Sequence, residues 1–233
     1  MTLTAPQQTT LSLHGRQVPL AWWLPDGAQA PCPLVLVGHG GSGHKTSTLV
    51  LDIANLLVPQ GIAVAAIDGP VHGARRAVFA EGPVVRDEFR ALWTQGGAVE
   101  AMVQDWQAAI DHLCQLPQID GRRLAWYGIS MGTAYGLPVV AADKRIGAAV
   151  LGMWGTCRQP SARLVADAHS IQVPVVFHVK NDDAIFTPEG QRDLFEQIAS
   201  PDKQYVHYDG GHTDPAGEQL QDIAQFLTAH LSA

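Results

Sequence analysis

Arg123-Leu-Ala-Trp-Tyr-Gly-Ile-Ser-Met-Gly132 is the stretch on which the fold turns. Arg123–Tyr127 ends in an apolar, strand-like run, and Met131–Ala141 is compatible with a helix, shortened or bent at Gly136 and Pro138. Between them, Gly128-Ile-Ser-Met-Gly132 matches the glycine–x–serine–x–glycine pattern of a sharp strand-to-helix turn. Neighbours without Cβ atoms let such a turn pack against adjacent backbone. The turn also lifts the Ser130 hydroxyl to a helix N-terminus, where N–H groups and the helix dipole favour developing negative charge. Ser130 is the candidate nucleophile; an ordinary turn serine is the competing reading.

Outward from this point the chain alternates strand and helix. Upstream, Leu11–Leu13 and Val18–Leu24 read as short strands around His14 and Gly15, and Pro33–Gly38 is an unbroken apolar run suited to a strand buried on both faces. Ser47–Val58 reads as a helix, Ile62–Ile67 as a strand, and Ala98–Leu116 as a long amphipathic helix. Downstream, Ile146–Met153, Val175–Val179 and Tyr205–Tyr208 read as strands, with helices over Pro188–Ile198 and Gly217–His230. This order predicts an α/β class with a parallel sheet sandwiched by helices, in one domain over residues 1–233. In such sheets, loops at the strand C-terminal ends carry the chemistry.

The 233 residues are 46% hydrophobic and 16% charged, enough for a core that needs no disulfide or metal staple. A net charge of −7 argues against a nucleic-acid surface. Arg75, Arg76, Arg86 and Arg90 form a local basic exception, read as a solvated loop rather than an anion site. Cys32, Cys114 and Cys157 follow no metal-ligand or disulfide spacing, which fits a reducing compartment. Met1–Thr10 has no basic leader or apolar stretch, and no segment approaches a membrane span, so a soluble cytoplasmic protein is expected.

Three further segments fall at predicted strand ends. Gly38-His-Gly-Gly-Ser-Gly43 could cradle a phosphate, but it lacks the lysine–serine/threonine ending of a P-loop, and Lys45 is misplaced for one. Read with the turn at Ser130, it resembles a loop that offers a backbone N–H to an oxyanion; the donors would be Gly41 and Met131. A serine needs a base, and of ten histidines His212, in Asp209-Gly-Gly-His212 after the last strand, is best placed. His72 is its rival, His39 reads as a loop brace, and His178 as a packed core residue. Asp182 and Asp183 both follow the Val175 strand; Asp183 fills the acid position, with Ile185 and Phe186 anchoring the loop, while Asp182 reads as a turn cap. Asp68 is the outside alternative.

With Gly38–Gly41, Ile67–Gly73, Gly128–Gly132, Asn181–Asp183 and Gly210–His212 in this order, the chain resembles the α/β-hydrolase superfamily from Leu34 to Leu231. More narrowly, it is similar to the compact branch of dienelactone hydrolases and prolyl-oligopeptidase-like esterases. The resemblance implies an α/β-hydrolase fold with a mostly parallel sheet of about eight strands, helices on both faces and no large cap domain. Dienelactone hydrolases place a cysteine where Ser130 stands, so their reaction is not carried over. The absence of a propeller in the sequence likewise argues against peptidase activity.

Only Trp154–Pro174 separates the two strands between which relatives insert a cap. The Gly73–Gly97 crossover, with Phe79, Phe89 and Trp93, is expected to wall a small acyl pocket with Trp154, unless Trp154 packs in the core instead. His39 and His72 are assigned to the substrate side with it. The implied reaction is hydrolysis of a small carboxylic ester through an acyl-enzyme, without metal or cofactor. Thioester cleavage, acyl transfer or perhydrolysis on the same residues, and a non-catalytic ligand-binding protein, are the alternatives; oligomeric state is unreadable.

Overall fold

The computed structural model describes residues 3–27 and 31–232; of Met1–Thr10, Met1 and Thr2 lie outside the described residues. Eight strands form one sheet: β1 (Gln7–Leu13), β2 (Arg16–Trp23), β3 (Cys32–Gly38), β4 (Ala63–Ile67), β5 (Ile119–Gly128), β6 (Ile146–Gly152), β7 (Val175–Lys180) and β8 (Lys203–Tyr208). Their order is β1-β2-β4-β3-β5-β6-β7-β8. The first two pairings, β1 with β2 and β2 with β4, are antiparallel, and the rest are parallel. His14 and Gly15 both take positive φ, 49° and 77°, the backbone that a two-residue hairpin turn needs to match strand twist.

The central strands show why this sheet is covered twice. Every residue of β3 is buried; Leu34 and Leu36 enter one apolar layer, and Val35 and Val37 the other. β5 does the same with Leu124 and Trp126 against Ala125 and Tyr127. Helices α1 (Thr48–Leu57) and α7 (Glu218–Leu231) supply the second layer. The first is supplied by α2 (Pro83–Thr94), α3 (Val99–Cys114), α4 (Met131–Ala142), α5 (Ala162–Ala168) and α6 (Pro188–Gln197). This is the α/β-hydrolase architecture, with no cap among the described residues.

Several boundaries differ from the sequence expectation. β1 begins at Gln7 rather than Leu11, because the polar Gln7–Thr10 is drawn into the ladder by β2, from Gln7 opposite Trp22 onward. The Gly73–Gly97 crossover contains a full helix, α2, whose Val85, Phe89 and Trp93 recur every fourth residue on its buried face. α5 is a further short helix not foreseen between β6 and β7. α4 is buried along nearly its whole length, and a Cβ at Gly136 would lie 2.1 Å from Trp126 Nε1; the glycine is what lets the indole lie beneath the helix.

Candidate active site

The site assembles where the parallel strands end. Ser130 follows β5, Asp183 follows β7, His212 follows β8, and the glycine-rich loop follows β3. Ser130 holds φ 55° and ψ −120°, a conformation that costs a non-glycine residue about 1–3 kcal/mol and persists only where its surroundings impose it. Here they do. The Ser130 N–H donates to Gly152 O (2.9 Å) and the Gly132 N–H to Ile129 O (2.8 Å). A Cβ at Gly132 would lie 2.3 Å from Gly38 O, so only glycine lets β3 and the turn come this close.

Ser130 Oγ lies 2.9 Å from His212 Nε2, and His212 Nδ1 lies 2.9 Å from Asp183 Oδ2. The other Asp183 oxygen accepts from the N–H groups of Ile185 (2.8 Å) and Phe186 (3.1 Å), so the carboxylate is held by its own loop. Burial alone would raise the Asp183 carboxyl; the hydrogen bond from His212 and the two loop N–H groups outweigh it and hold the group below its usual value. A carboxylate on Nδ1 places the imidazole proton there and leaves Nε2 free to receive the serine proton. Asp182 is exposed and stands outside this chain; only its N–H is used, donating to Gly210 O.

Gly41 lines the same cavity as Ser130, and Met131 directly follows the serine. Met131 opens α4, and neither its N–H nor that of Gly41 has a protein acceptor among the described residues. Backbone N–H groups without a protein acceptor are the kind of donor that can receive the charge of a tetrahedral intermediate.

His39 and His72, assigned to the substrate side by sequence, are placed elsewhere. Both are buried beneath the glycine-rich loop and neither lines the cavity. One ring nitrogen of each reaches the glycine-rich loop, His39 Nδ1 to Gly40 O and His72 Nε2 to Gly41 O, while His72 Nδ1 has no partner among the described residues. Asp68 is not an alternative acid: it is fully buried on Lys45, taking that residue's N–H and ammonium at 2.9 Å each. Burial would raise the Asp68 carboxyl, but the Lys45 contacts hold it below its ordinary value.

A cavity of about 660 Å³ opens over Ser130 and His212, a size ordinary for a small-molecule site. Trp154 reaches it and is also core: 3% exposed, it packs on Trp93 (4.9 Å between ring centroids), Phe186 (4.7 Å) and Phe89 (6.0 Å). The basic segment read as a solvated loop divides in two. Arg75 pairs with buried Asp105 (2.8 Å) and Arg76 with Glu88, whereas Arg86 and Arg90 line the cavity mouth. Thr133 was missed altogether; its hydroxyl reaches the carbonyls of Gly128 and Gly152 under the turn. Among the described residues no cluster of three histidine, cysteine or acidic side chains could hold a metal ion, and no helix is long and apolar enough to cross a membrane.

The fold has counterparts among solved structures. A cold-adapted esterase from an Arctic intertidal metagenomic library, solved with bound PEG, superposes with a TM-score of 0.86 at 31% identity, over 99% of this chain and 100% of its own. Est1E from Butyrivibrio proteoclasticus superposes at 0.72 with 13% identity, over 99% and 100%. A 2,6-dihydroxy-pseudo-oxynicotine hydrolase does so at 0.73 with 18% identity, over 97% and 68%. The last two share the fold alone. No curated protein matches in sequence. Residues 22–213 match the Dienelactone hydrolase family, and over that span the chain belongs to this family of hydrolases.

Proposed function

We propose that this chain, acting as one domain, hydrolyses small carboxylic esters through an acyl-enzyme on Ser130. The observation that carries the reading is the unbroken run of 2.9 Å contacts from Ser130 to His212 to Asp183. His212 takes the hydroxyl proton as Oγ attacks the ester carbonyl and returns it to the departing alkoxide. Asp183 holds the tautomer and stabilises the imidazolium. The N–H groups of Gly41 and Met131 take the oxyanion, each worth about 10²–10³ in rate. A water activated by His212 then releases the acid from Ser130. The acyl group rests on the aromatic wall of Phe89, Trp93 and Trp154.

Esters are favoured over thioesters or activated amides because the relative at 31% identity is an esterase. Three free thiols, Cys32, Cys114 and Cys157, fit the reducing cytoplasm as the setting. The test is fluorophosphonate labelling of wild type and Ser130→Ala, beside turnover of p-nitrophenyl acetate and butyrate. Labelling and turnover that both vanish in the variant support the reading. A wild type that binds esters without turning them over, or turnover that survives Ser130→Ala, overturns it.

A further inference from the structure

The segment Ile67-Asp-Gly-Pro-Val-His-Gly73 contributes nothing to the triad, yet it is built tightly against the loop beside Ser130. The Asp68 carboxylate takes the Lys45 N–H and ammonium on one side and the Ala74 N–H (2.8 Å) on the other, tying the chain beyond the glycine-rich loop to the chain beyond His72. The His72 N–H closes a turn on Gly69 O (3.1 Å). His39 and His72 are 2% and 0% exposed, and their rings meet edge to face at 4.9 Å. A Cβ on residue 69 would lie 2.7 Å from His72 Nδ1 and 3.4 Å from His39 Cε1, so Gly69 is what lets both rings close on the loop.

Their tautomers follow from their partners. His39 Nε2 accepts the Gly69 N–H at 2.9 Å, so the ring proton sits on Nδ1 and is donated to Gly40 O at 2.8 Å. His72 Nε2 lies 3.1 Å from Gly41 O; a carbonyl only accepts, so Nε2 carries the proton. Burial holds both rings neutral, at about 4 for His39 and about 3 for His72. Gly40 O and the Gly41 N–H belong to one planar trans peptide, as do Gly41 O and the Ser42 N–H. Pinning each carbonyl toward the core points each N–H the opposite way.

We infer that His39 and His72 are positioning residues, two neutral donors that clamp consecutive peptide planes and preset the Gly41 N–H toward the oxyanion. The inference rests on the ester-hydrolysis reading for its catalytic consequence and on geometry alone for the clamp. Neither ring touches substrate. Losing one oxyanion donor outright costs about 10²–10³ in rate, and a donor left loose rather than lost costs about 10–100-fold in kcat with KM little changed.

A crossed set of substitutions tests it. The side-chain amide of asparagine reaches where histidine Nδ1 does, and that of glutamine where Nε2 does. His39→Asn and His72→Gln therefore keep the donor, while His39→Gln and His72→Asn misplace it. Each variant is checked by thermal melting, assayed for kcat and KM on p-nitrophenyl acetate, and followed by hydrogen exchange over residues 38–44. The expected result is near wild-type kcat for the first pair, and a kcat loss with faster loop exchange for the second. A shared loss in all four, or no loss in any, overturns the clamp. Should one variant fail to fold, the pair at the other position decides. Wild-type turnover that does not depend on Ser130, with exchange still following the crossed pattern, overturns the ester reading and leaves the clamp standing.

Discussion

The Thr133 hydroxyl grips both ends of Gly152: it accepts the Gly152 N–H at 2.7 Å and lies 2.6 Å from its carbonyl oxygen, the same oxygen that receives the Ser130 N–H. β6 and the strained serine are thus locked through one buried side chain. Thr133→Val keeps the shape and removes the hydroxyl, leaving a buried N–H without a partner at about 1–3 kcal/mol. The expected outcome is that loss in urea unfolding together with about a tenfold fall in kcat, since small displacements at a nucleophile are costly. Thr133→Ser restores both. Equal behaviour of the valine and serine variants would sink the idea.

Asp183→Asn leaves the loop in place but lets Nδ1 lose its anionic partner and favours the wrong imidazole tautomer. The expected fall in kcat is about 10³–10⁴. Asp182→Asn, one position earlier and exposed, should stay within about threefold of wild type, as surface changes away from a site usually do. Comparing the two on p-nitrophenyl acetate assigns the acid; a larger loss at Asp182 reverses it.

Acidification should destabilise the fold well before Asp68 and Asp183 protonate. Burial lowers His39 to about 4, and His72 and His178 to about 3, whereas the unfolded chain takes these protons near its ordinary histidine value of about 6.5. Between those values the unfolded state binds more protons, so stability is present above about pH 6.5 and is lost as pH falls toward 4, by about 2 kcal/mol per histidine from pH 7 to pH 5. Asp68 and Asp183 are held low, and their contributions fade only below the usual carboxylate range. Urea midpoints at pH 7, 6 and 5 should fall in wild type and fall less in His178→Phe. A flat wild-type profile would falsify this account.

Trp154→Ala removes the ring that joins Phe89, Trp93 and Phe186 at the cavity wall. Cavity formation in such a cluster costs about 3–5 kcal/mol, so melting will drop, but the informative readout is acyl length. Against p-nitrophenyl esters from acetate to octanoate, the optimum should move to longer chains. An unchanged optimum assigns Trp154 to packing alone.

How much of this was legible depended on how local each cause is. The turn at Ser130 is announced by residues within two positions of it, although Gly152 and Gly38 help to hold it, and the alternation of β3 and β5 between two layers by their own apolar runs. Thr133 was not legible, because its partner Gly152 lies nineteen residues away across a parallel pairing. α2 carried a readable signal, Gly82-Pro83 followed by Val85, Phe89 and Trp93, but the charges interleaved at Arg86, Asp87, Glu88 and Arg90 made it read as loop. His39 and His72 lie on the expected loops; what could not be read was the direction of their rings, which only the packing of Gly69 and the buried Lys45–Asp68 pair decides.

α2 enters at Gly82 and leaves through Gly96, Gly97 and Ala98, all at positive φ. Phe89 and Trp93 on this helix shape the cavity, while Ser130, Asp183 and His212 all sit on other segments. One wall of the cavity is therefore carried by a stretch of chain apart from the three polar residues, joined to the glycine-rich loop where the Gly82 N–H donates to Ser42 O (2.8 Å). Twelve residues between turns at positive φ form this wall, and changing Phe89 or Trp93 would reshape it while Ser130, Asp183 and His212 stay on their own segments.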